Sequence, residues 1–228
     1  NSVLLYGANG YTGVLIAKYA AQFGVQPILA GRREEAIKLL ANELNLAYKI
    51  IDINNATQLK EALQGIKVVI HAAGPFADTA KQMIDACLQT GTHYLDINGD
   101  ISVFETIKRY DAAAKEKNIM VMPGTGFDVV PSDCLAKYLS EKLPDATDLE
   151  LAFKGDGGPS HGTTLTVISG LGKGGAIRKN GKIIAVSNAY EEKKFDFDLP
   201  GLSAVTIPWG DISTAYFSTK IPNIKVFM

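Results

Sequence analysis

Residues 3–13 read Val3-Leu4-Leu5-Tyr6-Gly7-Ala8-Asn9-Gly10-Tyr11-Thr12-Gly13, a short apolar run leading into glycines at every third place. The run has strand length and residues 14–22 have helix character, so the glycines fall in a strand-to-helix turn. In such a turn Gly7 permits the sharp reversal. Gly10 lets the backbone approach a pyrophosphate with no Cβ in the way, and Gly13 lets the helix lie close on the strand. The N–H groups at the helix start have no intrahelical acceptor, and the helix dipole favours an anion there. Asn9, Tyr11 and Thr12 belong to the same turn and join the three glycines as candidate dinucleotide contacts. Glycine-rich turns also occur without a ligand; the position at a first strand–helix junction favours the binding reading.

Outward from this turn, apolar runs at residues 3–6, 27–30, 47–51, 68–71, 93–95 and 119–122 alternate with helix-period stretches. Runs this short and this uniformly apolar suit a parallel sheet covered on both faces. Ile37, Leu40, Ala41 and Leu44 share one helical face, as do Ala80, Met83, Ile84, Cys87 and Leu88. Asn55 followed by Gln58 reads as a capping box, and Asp78 and Asp100 read as N-caps. After Pro123 the rhythm changes to alternating segments such as Leu149/Leu151/Phe153 and Phe195/Phe197/Leu199. Asn180-Gly181 between Ala176-Ile177 and Ile183-Ile184 predicts a tight hairpin. The expected class is therefore α/β: a Rossmann domain with a doubly wound parallel sheet over residues 1–125, then an α+β domain with a mostly antiparallel sheet over residues 126–228. The start at Asn1 reads as a trimmed end, and the stop at Met228 inside a strand pattern reads as an incomplete C-terminal domain.

The end of the second run decides which dinucleotide is expected. An NAD site places a carboxylate there for the ribose 2′-hydroxyl, whereas this chain has Gly31-Arg32-Arg33. A guanidinium pairs bidentately with a 2′-phosphate and stacks on adenine, so the reading is NADP(H), the rival being a solvated helix start. Asp52 closes the third run and either meets the adenine amino group or is an exposed turn residue. Ala73, Gly74, Pro75 and Phe76 follow the fourth run and are placed to keep backbone near the cofactor's nicotinamide end.

Composition narrows the partners. Lysine plus arginine (23) nearly balances aspartate plus glutamate (24), so no overall field draws the chain to nucleic acid or anionic membrane. No apolar run reaches membrane-spanning length. Cys87 and Cys134 are far apart and have no grouped histidines, so no metal is expected. The expected setting is a reducing cytoplasm, and the partner a small-molecule substrate. A homodimer formed through the second domain's strands is a further option.

Catalytic candidates are few. Asp96 after the fifth run and Asp128 after the sixth lie at carboxyl ends of strands, where ligands of this fold bind, and Gly126 and Phe127 join the cofactor candidates beside Asp128. Each aspartate has a capping role as its rival reading. Pro131 suits a first helical turn and puts Ser132 and Asp133 at a helix start. The YxxxK spacing of Tyr138 and Lys142 is read as packing on the Leu135/Leu139 face, and residues 170–175, a second GxGxxG, as a loop. Among the scattered histidines His71, His93 and His161, the last is best placed to reach a substrate, with an ordinary surface histidine the favoured reading.

Five motifs in order resemble the saccharopine dehydrogenase-like oxidoreductases: residues 6–13, Ala30-Gly31-Arg32, residues 73–76, residues 94–100 and residues 126–133. The resemblance is closer to the lipid-type branch with trans-acting enoyl reductase-like proteins than to true saccharopine enzymes. It implies a Rossmann domain, a substrate domain and NAD(P)-linked redox chemistry in the cleft between them, with hydride passing to or from a C=O, C=N or C=C bond. A cofactor sensor or scaffold without catalysis is the alternative. A tricarboxylic substrate would need several cations, and Lys154, Lys173, Arg178 and Lys179 are expected to lie exposed near glycine-rich turns.

Overall fold

The computed structural model describes residues 2–155, 157, 172, 174–197 and 200–228. These residues pack as two units, residues 1–98 with 106–126, and residues 99–105 with 127–228.

The first unit alternates β1 (Val3–Tyr6), α1 (Tyr11–Ala20), β2 (Ile28–Gly31), α2 (Glu34–Leu44), β3 (Tyr48–Ile50), α3 (Ala56–Leu63), β4 (Val68–His71), α4 (Phe76–Thr90) and β5 (His93–Asp96). It continues through α5 (Ile101–Ile107), which crosses the unit boundary, α6 (Asp111–Glu116) and β6 (Val121–Met122). All six strands pair in parallel in the order β3-β2-β1-β4-β5-β6, the doubly wound arrangement expected. The order reverses between β1 and β4, where Tyr6 stands opposite His71.

The two helical faces anticipated from periodicity are the buried ones. Ile37, Leu40 and Ala41 of α2 pack with Leu5 and Leu29, and Ala80, Met83, Ile84 and Cys87 of α4 are buried likewise. Each buried Ile, Leu or Met side chain among them contributes about 1.5–3 kcal/mol by leaving water. Asn55 caps α3 by accepting from the Gln58 N–H at 3.0 Å. The box is half formed, because Gln58 turns its amide to the Asp52 N–H and the Ile50 carbonyl. Asp100 accepts from Ser102 N–H at 2.6 Å, as a cap does. Asp78 does not cap: α4 starts two residues earlier, after Pro75, leaving Asp78 in the first turn. The sixth strand is shorter than expected, because Ile119 N–H returns to Ala114 O and Met120 N–H goes to His93 Nδ1.

The second unit contains α7 (Val130–Lys142), β7 (Asp148–Ala152), β8 (Gly175–Lys179), β9 (Lys182–Val186), β10 (Glu192–Phe195), β11 (Leu202–Val205), α8 (Asp211–Thr219) and β12 (Asn223–Phe227). One sheet runs β7-β12-β8-β9, antiparallel except for the parallel pair β7–β12, and β10–β11 form a separate antiparallel pair. Leu149 and Leu151 alternate inward against Ile212, Ala215, Ile224 and Val226. Asn180 and Gly181 take φ of 49° and 76°, giving the hairpin read from sequence. Two expectations are corrected. Tyr138 is 57% exposed and Leu135 and Leu139 are exposed beside it, because α7 buries the other side, through Ser132 and Ala136. Arg178 is buried: its Nε donates to Ile212 O at 2.7 Å, and the guanidinium lies 4.1 Å from the Tyr216 ring centre.

Candidate functional site

The turn after β1 is built from absences of side chain. Gly7 has φ +85°, and a Cβ there would lie 2.8 Å from Ala72 and Ala73, which follow β4. A Cβ on Gly13 would sit 2.3 Å from the Gly7 carbonyl oxygen, so only glycine lets α1 approach the strand this closely. Gly10 precedes α1 in extended backbone and supplies no side-chain cap. Among the described residues the N–H groups of Tyr11, Thr12 and Gly13 have no acceptor. Bare donors at a helix start, in a cradle that a Cβ would fill, fit a pyrophosphate.

The two arginines after β2 diverge. With its amide oxygen turned toward Arg33, Asn9 accepts from Nε at 3.2 Å and Nη2 at 2.9 Å, which ties the glycine turn to the end of β2. Arg32 is exposed, with no hydrogen bond or ion pair among the described residues. Asp52 is exposed and accepts from Asn54 N–H at 3.0 Å, an Asx turn.

The loop after β4 is held from below. Thr79 Oγ1 lies 2.9 Å from Ala73 O, 3.0 Å from Pro75 O and 3.0 Å from His71 Nε2. The threonine hydrogen serves the carbonyls, so Nε2 carries the imidazole hydrogen. His71 is buried among the rings of Tyr6, Phe76 and Tyr94, and its Nδ1 has no partner among the described residues. Burial pulls its pKa down to about 3, keeping it neutral.

Asp96 ends β5 in an enclosed setting. It is 0% exposed; Oδ1 accepts from Asn98 N–H, Asn98 Nδ2 and Gly124 N–H, and Oδ2 accepts from Tyr94 O–H at 2.7 Å. A side chain so enclosed by donors fastens the ends of β5 and β6. Gly126 stands near it in the first unit, where a Cβ would lie 3.2 Å from Ile97.

The other candidates fall in the second unit. Phe127 is 86% exposed. Asp128 is half-buried, desolvation raises its carboxyl above the usual carboxylate range, and a Cβ on Gly99 would lie 2.9 Å from its Oδ2. Its carbonyl accepts from Trp209 Nε1 at 2.7 Å. Pro131 occupies the first turn of α7, as expected. Ser132 and Asp133 are joined to α8: Ser132 Oγ is 2.6 Å from Asp211 Oδ1, and Ser218 Oγ donates to Asp133 Oδ2 at 2.6 Å. Asp211 is 0% exposed, and burial pushes its carboxyl up to about 7. Sequence reasoning missed Thr79, Trp209 and Asp211. Their partners are 81 and 79 residues away for the last two, beyond any spacing rule, although Gly210-Asp211 before a helix is itself an N-terminal signal. His161 and half of residues 170–175 lie outside the described residues.

A parallel sheet of this order, with such a turn at its reversal, defines a dinucleotide-binding Rossmann protein. Comparison is more specific. Residues 3–122 match the saccharopine dehydrogenase NADP-binding domain, and the chain belongs to that family, an oxidoreductase family whose cofactor is NADP(H). It is 29% identical over 202 residues to a lipid droplet localized protein of Caenorhabditis elegans, covering 78% of this chain and 47% of that one. It is 27% identical over 205 residues to the human saccharopine dehydrogenase-like oxidoreductase, covering 78% and 47%. It is 25% identical over 158 residues to a trans-acting enoyl reductase of Mycobacterium ulcerans, covering 66% and 38%. The chain thus spans about half the length or less of these relatives. In fold it is similar to apo saccharopine dehydrogenase (L-Glu forming) from Saccharomyces cerevisiae, with a TM-score of 0.70 at 18% identity, covering 99% of this chain and 54% of that one. No helix among the described residues is long and apolar enough to cross a membrane.

Proposed function

We propose that this chain carries the cofactor-binding half of an NADP(H)-dependent oxidoreductase that moves hydride to or from a C=O, C=N or C=C bond of a small metabolite or lipid intermediate. The observation that carries the reading is the bare glycine turn whose three N–H groups have no acceptor among the described residues, together with the exposed Arg32 after β2. When bound, NADPH supplies the hydride. The chain's own residues bind and orient: the N–H groups of Tyr11, Thr12 and Gly13 take the pyrophosphate, with Gly7, Asn9 and Gly10 shaping the turn. Arg32 takes the 2′-phosphate, while Arg33 holds Asn9 in place. Asp52 borders the adenine. Ala73, Gly74, Pro75 and Phe76, fixed by Thr79, line the nicotinamide side together with Gly126. Asp128 is assigned the acid–base role, because a half-buried carboxyl with a raised pKa holds a proton closer to neutral pH.

The first test is calorimetric titration of NADPH and NADH into the parent and Arg32→Ala. NADPH should bind more tightly to the parent, and the variant should lose about 10- to 100-fold for NADPH, the worth of a charge-assisted pair, with NADH unchanged. Equal affinities in the parent would overturn the reading. The second is NADPH consumption with aldehydes, imines and enoyl thioesters, enoyl thioesters first because of the mycobacterial relative's name. Binding without consumption of any of them would favour a cofactor sensor instead.

A further inference from the structure

Asp211 opens α8 with a fully buried side chain, and among the described residues its Oδ2 has no hydrogen-bond partner. Oδ1 is 2.6 Å from Ser132 Oγ, which is itself 3.1 Å from the Val129 carbonyl. A hydroxyl has one hydrogen. Were Asp211 a carboxylate, that hydrogen would have to serve either the buried charge or the carbonyl, and the loser would go without. A proton on Oδ1 resolves the conflict: the acid donates to Ser132, Ser132 donates to Val129 O, and the atom left unpaired is a neutral carbonyl oxygen rather than half of a charge.

The surroundings agree. Asp133 of α7 and Asp128 before α7 both set negative charge toward Asp211. At the same end of α8, Ser213 Oγ donates to Glu105 at 2.5 Å. The cation packed there, Arg178, is directed at Ile212 O and, at 3.5 Å, at Glu105. The segment that gains from the chain of bonds is Asp128–Val129. Trp209 Nε1 holds the Asp128 carbonyl, and Gly210 lies so close to Val129 that a Cβ would meet its Cγ1 at 2.8 Å. Trp209, Gly210 and Asp211 therefore grip this turn through three consecutive residues.

We infer that Asp211 is a positioning residue which, as a neutral acid, passes a hydrogen bond through Ser132 to the Val129 carbonyl and so holds the Asp128 turn in place. The catalytic meaning of that placement rests on the role proposed for Asp128; the bond chain itself does not. The residue's carboxyl, pushed up to about 7, makes the grip sensitive to pH in the neutral range. Folded Asp211 prefers its proton, so the stabilisation is whole below the ordinary carboxylate pKa near 4 and is lost as pH rises toward 7.

The chain has a single tryptophan, Trp209, so its indole N–H resonance reports on the Asp128 turn without interference. In the 228-residue chain this resonance should titrate once between pH 5 and 9, with a midpoint near 7. Asp211→Asn, which keeps a donor and cannot ionise, should abolish the titration, and Ser132→Ala should displace the resonance at every pH. An unchanged titration in Asp211→Asn overturns the proposal. Should Asp211→Asn fail to fold, the carboxyl carbon-13 signals of the aspartate-labelled parent decide: no aspartate titrating near 7 also overturns it. None of these readings needs cofactor or turnover, so failure of NADPH binding would strike the functional reading alone.

Discussion

The dinucleotide turn and the α7–α8 joint are both helix starts, and they are built in opposite ways. The turn achieves its shape by leaving side chains out: Gly7, Gly10 and Gly13 within seven consecutive residues, and three N–H groups with nothing to bind. The joint achieves its shape by pairing polar side chains, the buried Ser132 with Asp211 and the half-buried Ser218 with Asp133, across 79 and 85 residues of chain. A site made of local backbone geometry leaves a fixed spacing in the sequence, whereas one made of tertiary pairs leaves none.

The sharpest way to break the contrast is to put a side chain where the turn forbids one. In Gly13→Val the new Cβ would lie 2.3 Å from Gly7 O and 2.9 Å from Ala8 Cα, both backbone atoms that cannot swing aside. NADPH binding should fall below detection by calorimetry. Urea unfolding should show a loss of at least about 3 kcal/mol, from overpacking against backbone. A variant that binds NADPH as the parent does would mean the turn is not the cradle described.

Asp96 tests the same contrast from the other side, as a buried side chain in the unit otherwise read from its backbone. Asp96→Ala leaves Tyr94 O–H, Gly124 N–H and two Asn98 donors without their acceptor. The expected cost is about 3–5 kcal/mol by urea unfolding. An acid–base residue would behave differently, losing turnover while stability stayed near the parent's.

These particulars explain what was legible. The six parallel strands, the α2 and α4 faces and the Asn180-Gly181 hairpin were readable because each is a local period or a local φ requirement. The glycine turn after β1 was readable for the same reason. Asp96 keeps two readings in the sequence because its position at a strand end is equally that of a ligand contact and of a loop fastener, and its four donors come from tertiary pairing that no spacing shows. Arg178 was placed at the surface because it borders a turn; the covering residues Ile212 and Tyr216 come from α8, over 30 residues on.

The smallest expected effect separates the two units by sign. His71 in the first unit and Asp211 in the second are both kept neutral by burial, one pulled down to about 3 and the other pushed up to about 7. Unfolded, they titrate near 6.5 and 4. For His71 the stabilisation is whole above 6.5 and is lost as pH falls toward 3; for Asp211 it is whole below 4 and is lost as pH rises toward 7. Between pH 4.5 and 6 each contributes a slope of at most about 1.4 kcal/mol per pH unit, in opposite directions, and the two nearly cancel in the parent. Urea unfolding at half-unit steps should therefore look flat from these two groups. His71→Gln, which cannot take up the proton on unfolding, should remove the rising contribution and leave stability falling as pH increases through that window. Asp211→Asn should do the reverse. If His71→Gln left the pH dependence as in the parent, the imidazole would be reaching solvent, and the buried prop beneath Ala73 and Pro75 would not exist as drawn.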